Sequence, residues 1–414
     1  MKIFTILLLI VSVCYADDTL PHARPLTNRT FERTTARMDR GRYLTEGILQ
    51  CFMCHSERDY TLPGWPPKKG MKGAGSVMRD LPDYRMVAPN LTPDRTTGAG
   101  TWTDDMFARA IREGVGHDGR DLYPQMWYDA FKDLSDEDLA SVVVYLRALP
   151  AVYHPLPKRK LTTDQEKTTL RLPHPITEPV PQPDLSTPLK RGNYLMRIAD
   201  CQGCHTAFEA PANPGFFAGG NEVRFGKYTA FSANITPDPS GIPYYNPELF
   251  IETMRTGKVR ARELSGIMPW IVFRNLNDED LKAIFTQIQA LYPIHHEVSN
   301  TDPPTYCELC KQKHGLGEFN HKKEMRVASV DPKIFSNYIG TYHCADGYEY
   351  VIFTENNKLY FRDDDGSKVE LTPRSEIDYT FRNYTTPITF VRDSKGKVTG
   401  LLEHTLWDPA KKIK

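Results

Sequence analysis

Two copies of one mainly α-helical unit, followed by a small all-β domain, make up the multidomain fold class that this 414-residue sequence predicts. Three observations carry it. "RGRYLTEGILQCFMCH" at 40–55 returns as "RGNYLMRIADCQGCH" at 191–205. "PNLTPD" at 89–94 returns as "ANITPD" at 233–238, and "LSDEDLASVVVYLRALP" at 134–150 returns as "LNDEDLKAIFTQIQALYP" at 276–293. Retained order marks a duplicated unit. The closing segment of each copy carries an apolar stripe at helical spacing, and from about residue 331 the texture changes to short aromatic and β-branched runs separated by turn residues.

The N-terminus reads as a secretory signal peptide over 1–16: Lys2, an apolar run from Ile3 to Val13, and a small residue, Ala16, before the cleavage point. The run is shorter than the roughly 20 residues that span a bilayer. A lipid anchor on Cys14 is disfavoured because Val13 is larger than the residue usual before a lipidated cysteine. The expectation is an exported protein, bacterial and periplasmic, soluble or peripheral to a membrane. The 52 basic residues balance 52 acidic ones, so the basic stripe that nucleic-acid binding requires is missing.

The first unit is placed at 17–150. Its closing helix has Leu139, Val142, Val143, Leu146 and Leu149 on one face, Ser135 at the N-cap, three acids in the positive first turn and Pro150 as a stop. The segment before "CFMCH" is expected to be helical, with Gly41 allowing another helix to approach closely. Residues 151–188 are proline-rich and aperiodic, an extended linker. The second unit, 189–300, repeats the plan with Gly192, an Asn277 cap, a stripe of Leu281, Ile284, Phe285, Ile288 and Leu291, and Pro293. A connector containing a C-x-x-C pair occupies 301–330. The tail, 331–414, has the strand and turn spacing of an antiparallel meander or barrel. Its aromatics (Tyr348, Tyr350, Phe353, Tyr360, Phe361, Phe390) are read as barrel core, and His295 and His296 as surface residues.

The chemistry lies in "CFMCH" and "CQGCH". In C-x-x-C-H the two cysteines add to the haem vinyl groups and the histidine turns back to bind iron. With 8 cysteines and 12 histidines, chance supplies about 0.004 such matches per chain, so two at equivalent points of a duplication are not accidental. A redox dithiol has no need of the histidine, and a zinc site needs a second ligand pair that neither motif has at suitable spacing. The expected cofactor is haem c, two groups covalently bound: Cys51, Cys54 and His55 hold the first; Cys201, Cys204 and His205 hold the second. Met126 and Met268, each in a proline-containing loop at the same distance before its closing helix, are the candidate second axial ligands; Met71, Met78 and Met86 are weaker candidates in the first unit.

Residues 36–293 resemble two tandem class I cytochrome c domains, similar to the cytochrome subunits of exported alcohol and sugar dehydrogenases. The resemblance is carried by the two C-x-x-C-H motifs, the two N-x-T-P-D loops, "DLYPQM" and "GIMPW", and the acidic helix starts. It implies a diheme electron carrier with His/Met ligation, a dehydrogenase as electron donor and a downstream cytochrome or oxidase as acceptor. The family usually has Met-Pro at the ligand loop; Met126-Trp127 departs from that. The tail is similar to lipocalin-like β domains, a less specific match.

A third pair, Cys307-Glu308-Leu309-Cys310-Lys311, has lysine where the histidine would stand. A disulfide, a metal site with His314 and His321, a haem with Lys311 as ligand, and free thiols all remain open; a disulfide is the default in an oxidising compartment, and a third haem is not the expectation. Two rival functions stand beside the carrier: a haem enzyme of the diheme peroxidase or oxidase type, needing an open iron, and a haem relay or sensor with a ligand-binding β domain.

Overall fold

A computed structural model describes residues 23–160, 175–207, 215–225, 228–259, 262–298, 327–344, 348–362, 366, 368–381, 387–403 and 409–413, with the backbone of 305–306 and 313–314. The signal segment 1–16 and the Cys307/Cys310 pair lie outside the described residues.

The first unit contains α1 (Thr35–Tyr43), a π-helical turn (Leu44–Ile48), α2 (Cys51–Cys54), a hairpin of β1 (Ser76–Leu81) and β2 (Tyr84–Ala88), α3 (Asp104–Glu113), α4 (Tyr128–Phe131) and α5 (Asp136–Leu146). The second runs through the same series: α6 (Pro188–Ile198), α7 (Cys201–His205), β3 (Glu222–Phe225) and β4 (Tyr228–Phe231), α8 (Pro247–Thr256), a short pair β5 (Lys258–Val259) and β6 (Arg262–Glu263), α9 (Trp270–Phe273) and α10 (Asp278–Gln289). The hairpins were not expected from the sequence, which reads as loop between the helices. Their strands are only four to six residues long, too brief for a period-2 signal to stand out in the sequence.

Local chemistry sets the helix ends. Ser135 and Asn277 accept from the backbone N–H groups of Asp138 and Asp280, and Gly114 and Gly257 close α3 and α8 in the left-handed region that favours glycine. The first copy has one residue more than the second between its Arg-Gly pair and the first cysteine of its C-x-x-C-H motif. The π-helical turn absorbs it, where α6 runs as unbroken α-helix.

In each unit the opening helix crosses the closing helix at a glycine. A Cβ on Gly41 would fall 2.0 Å from the carbonyl oxygen of Ser141, and one on Gly192 would fall 2.0 Å from that of Ala283. The close approach expected of both glycines is borne out.

Whether the units touch was not legible in the sequence; the structure shows that they do, through one continuous core. Leu44, Ile48 and Leu49 belong to the same apolar cluster as Tyr194, Leu195, Met196 and Ile198. Each such side chain, fully buried, contributes about 1.5–3 kcal/mol. A reciprocal polar exchange flanks this core. Tyr43 donates to Asp280 (2.5 Å), which also accepts from Arg191; Tyr194 donates to Asp138 (2.8 Å), which also accepts from Arg40. Each unit's tyrosine thus caps the buried acid at the start of the other unit's closing helix. Burial and the bonded carboxylate raise both phenols well above their ordinary range.

The described parts of the linker are extended, as expected, but docked. Lys160 pairs backbone to backbone with Arg85, and the Val180 carbonyl accepts from the Asp136 N–H. Helix α6 starts at Pro188 with Thr187 as its cap.

After a short backbone pairing of β7 (Thr305–Tyr306) with β8 (Lys313–His314), which brackets the third cysteine pair, the tail forms a closed eight-stranded antiparallel barrel, β9–β16 in chain order (Gly340–His343, Glu349–Glu355, Lys358–Arg362, Lys368–Pro373, Asp378–Phe381, Pro387–Arg392, Val398–Glu403, Ala410–Lys412). Its interior is filled: Tyr338, Tyr342, Tyr379 and Phe390 lie inside with Ile352, Leu359 and Leu401. Of the six aromatics assigned to the core, Tyr350, Phe361 and Phe390 are inside. Phe353 and Tyr360 instead stack on each other outside the core, with Lys368 against both rings, and Tyr348 is half exposed. Alternation explains this: Phe353 and Tyr360 face each other across β10–β11 on the outward side of the pleat.

Candidate haem sites

Each helical unit encloses an apolar cavity, and the sequence-predicted residues meet there. The first, about 1280 Å³ including its open mouth, is lined by Cys51, Cys54, His55 and Met126, with Leu49, Phe107, Ile111, Phe131, Val142 and Leu146 from the helices around it. The second, about 1380 Å³, is lined by Cys201, Cys204, His205 and Met268, with Phe250, Phe273, Leu281, Ile284 and Ile288. Met78 and Met86 also line the first cavity, while Met71 lies outside it.

Residues preceding the motifs take a left-handed conformation, Gln50 at φ 55° and Asp200 at φ 50°, which turns the chain sharply from the opening helix into α2 or α7. The histidines that end the motifs are oriented by the N-x-T-P-D loops. His55 Nδ1 lies 2.8 Å from the Pro89 carbonyl, and His205 Nδ1 lies 2.8 Å from the Ala233 carbonyl. A carbonyl only accepts, so Nδ1 carries the proton and Nε2 keeps its lone pair for a metal. Burial lowers both imidazole pKa values, keeping the rings neutral and ligand-competent.

Those loops are held rigidly. Asn234 donates to the carbonyls of Ile294 (2.9 Å) and His296 (3.2 Å) and accepts from the Thr236 N–H and hydroxyl. Asn90 donates to the Val152 carbonyl and accepts from Thr92 in the same way. Both asparagines match the glycosylation pattern N-x-T, yet both are buried. The repeat of this motif signalled importance without revealing the role. Replacing Asn234 by Ala is expected to destabilise the protein by about 2 kcal/mol, since buried carbonyls lose their donor, and to loosen the His205 ring; chemical unfolding and the axial-ligand spectrum check this.

His296 is half-buried and bonds the Ala218 carbonyl through Nδ1 (2.7 Å), correcting its reading as a surface residue; His295 stays exposed beside Asp238. His154 makes the matching contact to Ala74 in the first unit.

The four motif cysteines are unbridged. Burial pushes the Cys51 thiol up to about 12, Cys54 to about 11 and Cys204 to about 12, with Cys201 raised further. A reactive dithiol is tuned the other way, toward thiolate. In a haem-bearing chain these sulfurs would be thioethers, for which burial costs little. Sulfur pairs, a lone-pair-bearing imidazole and a methionine on the wall of an apolar cavity form a donor set that fits haem c.

No family model matches the chain. Among curated proteins it is 29% identical over 269 residues to the fructose dehydrogenase cytochrome subunit of Gluconobacter japonicus, covering 61% of this chain and 52% of that protein. To the gluconate 2-dehydrogenase cytochrome c subunit of Pantoea cypripedii it is 27% identical over 281 residues, covering 62% of this chain and 60% of that protein. To a diheme cytochrome c-type protein of Cereibacter sphaeroides it is 26% identical over 165 residues, covering 38% of this chain and 53% of that protein. The chain thus spans somewhat more than half the length of these relatives. Taken with the two cavities and the residues that line them, these matches make the chain similar to the cytochrome c subunits of dehydrogenases and to a diheme c-type cytochrome.

Proposed function

We propose that this protein is an exported diheme c-type cytochrome that carries electrons between redox partner proteins and has no substrate of its own. The observation that carries this reading is the repetition, in two equivalent cavities, of a C-x-x-C-H motif and a methionine. The reading takes 17–150 and 189–300 as cytochrome c domains and 331–414 as a separate β domain.

Haem c, when bound, supplies a one-electron iron centre. Cys51 and Cys54, and Cys201 and Cys204, would anchor it; His55 and His205 would each offer Nε2 to the iron, and Met126 and Met268 their sulfurs. The chain's own part is to hold these donors still. The Pro89 and Ala233 carbonyls fix the ring planes, and the apolar helix faces exclude water, so little rearranges when charge changes. Neither histidine needs to gain or lose a proton.

Among the described residues no helix is long and apolar enough to cross a membrane, and the leader read at 1–16 supports export to a bacterial periplasm. The dehydrogenase names of the relatives support a dehydrogenase as donor, with a downstream cytochrome or oxidase as acceptor. The filled interior of the barrel supports a docking or scaffolding part for the tail over a ligand-binding one.

Intact mass of the mature protein with a pyridine haemochrome count tests the reading. Two haems are expected, and a mass rise of two hydrogens on reduction would make Cys307 and Cys310 a disulfide. Three haems would overturn the reading, with Lys311 marking an open iron. Met126→Ala and Met268→Ala are each expected to abolish about half of the methionine–iron charge-transfer absorption and to yield one high-spin haem; a wild-type protein that already contains a high-spin haem would favour an enzyme.

A further inference from the structure

We infer that Gln50 is the bridge through which the two haem sites exchange electrons, an inference that rests on the two-haem reading above. Among the described residues the two cavities share a single lining residue, and it is Gln50. It belongs to a thin wall: Ile48 lines the second cavity, Leu49 lines the first, and Gln50 reaches both. Its side chain is buried, at 6% exposure, and its Nε2 donates to the Ala199 carbonyl at 2.9 Å.

Comparison with the second unit shows that Gln50 has been freed for this. Its counterpart, Asp200, has the same left-handed backbone but turns back to cap its own helix, accepting from the Gly203 N–H. Gln50 makes no such cap bond and crosses to the other unit instead. Consequently the residue adjoining Cys51 is hydrogen-bonded to the carbonyl two residues before Cys201. A covalent path with one hydrogen bond in it therefore runs from one haem-attachment cysteine to the other. The competing route is through space, between the motif cysteines that line the two cavities on either side of this wall.

The transfer is a one-electron exchange. With haem bound at both sites, one iron would be oxidised as the other is reduced, and no bond or proton at Gln50 would move. Gln50 sits at φ 55°, a conformation that Asn and Gly tolerate well, so Gln50→Asn and Gln50→Gly remove the bond to Ala199 without straining the turn. Asn keeps a polar group but is one methylene too short to span the same gap.

The test uses the full-length holoprotein, poised half-reduced, with one haem photoreduced by a covalently attached ruthenium complex and re-equilibration followed spectroscopically. Both variants are expected to keep two haems and unchanged methionine–iron absorption, while inter-haem equilibration slows several-fold beyond what any shift in the measured midpoint potentials accounts for. A purely packing role for Gln50 would instead shift the absorption, or slow equilibration only as far as the potentials account for, and would overturn the bridge. Two haems with unshifted potentials and an unchanged rate in both variants would overturn the bridge and assign transfer to the through-space route. A wild-type count other than two overturns the underlying reading, and the bridge with it.

Discussion

Replacing Cys201 and Cys204 together by alanine is expected to leave one haem per chain and to destabilise both helical units, not only the second. The second cavity is lined by Met196, Met254, Phe250, Phe273, Leu281 and Ile284, all members of the apolar cluster that runs on into Leu44, Ile48 and Phe52 of the first unit. Without a covalently held group to fill the cavity, those faces must collapse or admit water. Ligand binding that stabilises only the native state is folding energy, so its loss is transmitted through the shared core. The haemochrome value should halve and the helical unfolding transition should fall steeply. The barrel, whose core forms a separate cluster, should keep its own transition. Loss confined to the second unit, with the first unfolding at its original temperature, would contradict a shared core.

Gly41→Ala and Gly192→Ala are each expected to cost about 3 kcal/mol or more, among the larger effects of a single methyl group. The obstruction is backbone: Ser141 O and Ala283 O at 2.0 Å from the added carbon cannot rotate away, so the two helices must separate along their whole contact. Gly47→Ala provides the contrast. There the nearest atom is the end of the Leu276 side chain at 3.1 Å, which can shift, and a cost below about 1 kcal/mol is expected. Denaturant unfolding of the three variants gives the comparison. Equal costs at Gly41 and Gly47 would show that the helices are not in such close contact.

Much of this was legible in the residues. A helix that closes a unit announces itself through its own period and caps, since both are properties of neighbours in sequence: Ser135 and Asn277 were read as caps and are caps. Likewise C-x-x-C-H holds its chemistry within five residues, and the turn spacing after residue 331 foretold the barrel. The repeated glycines spoke because a duplication that keeps Gly at one point of an otherwise good helix signals a lack of room for Cβ.

What the sequence by itself determined, then, are features whose energy is local: two equivalent C-x-x-C-H motifs, the helices that surround them, and a separate β tail. Only the tertiary structure decided how those parts are joined. Tyr43 meets Asp280, Tyr194 meets Asp138, Gln50 reaches Ala199, and the Pro89 and Ala233 carbonyls turn the histidines. Such pairs are separated by 28 to 237 residues, and nothing in the local pattern of either partner names the other. They are selected by burial, because a polar group taken out of water must find its partner in whatever chain lies beside it.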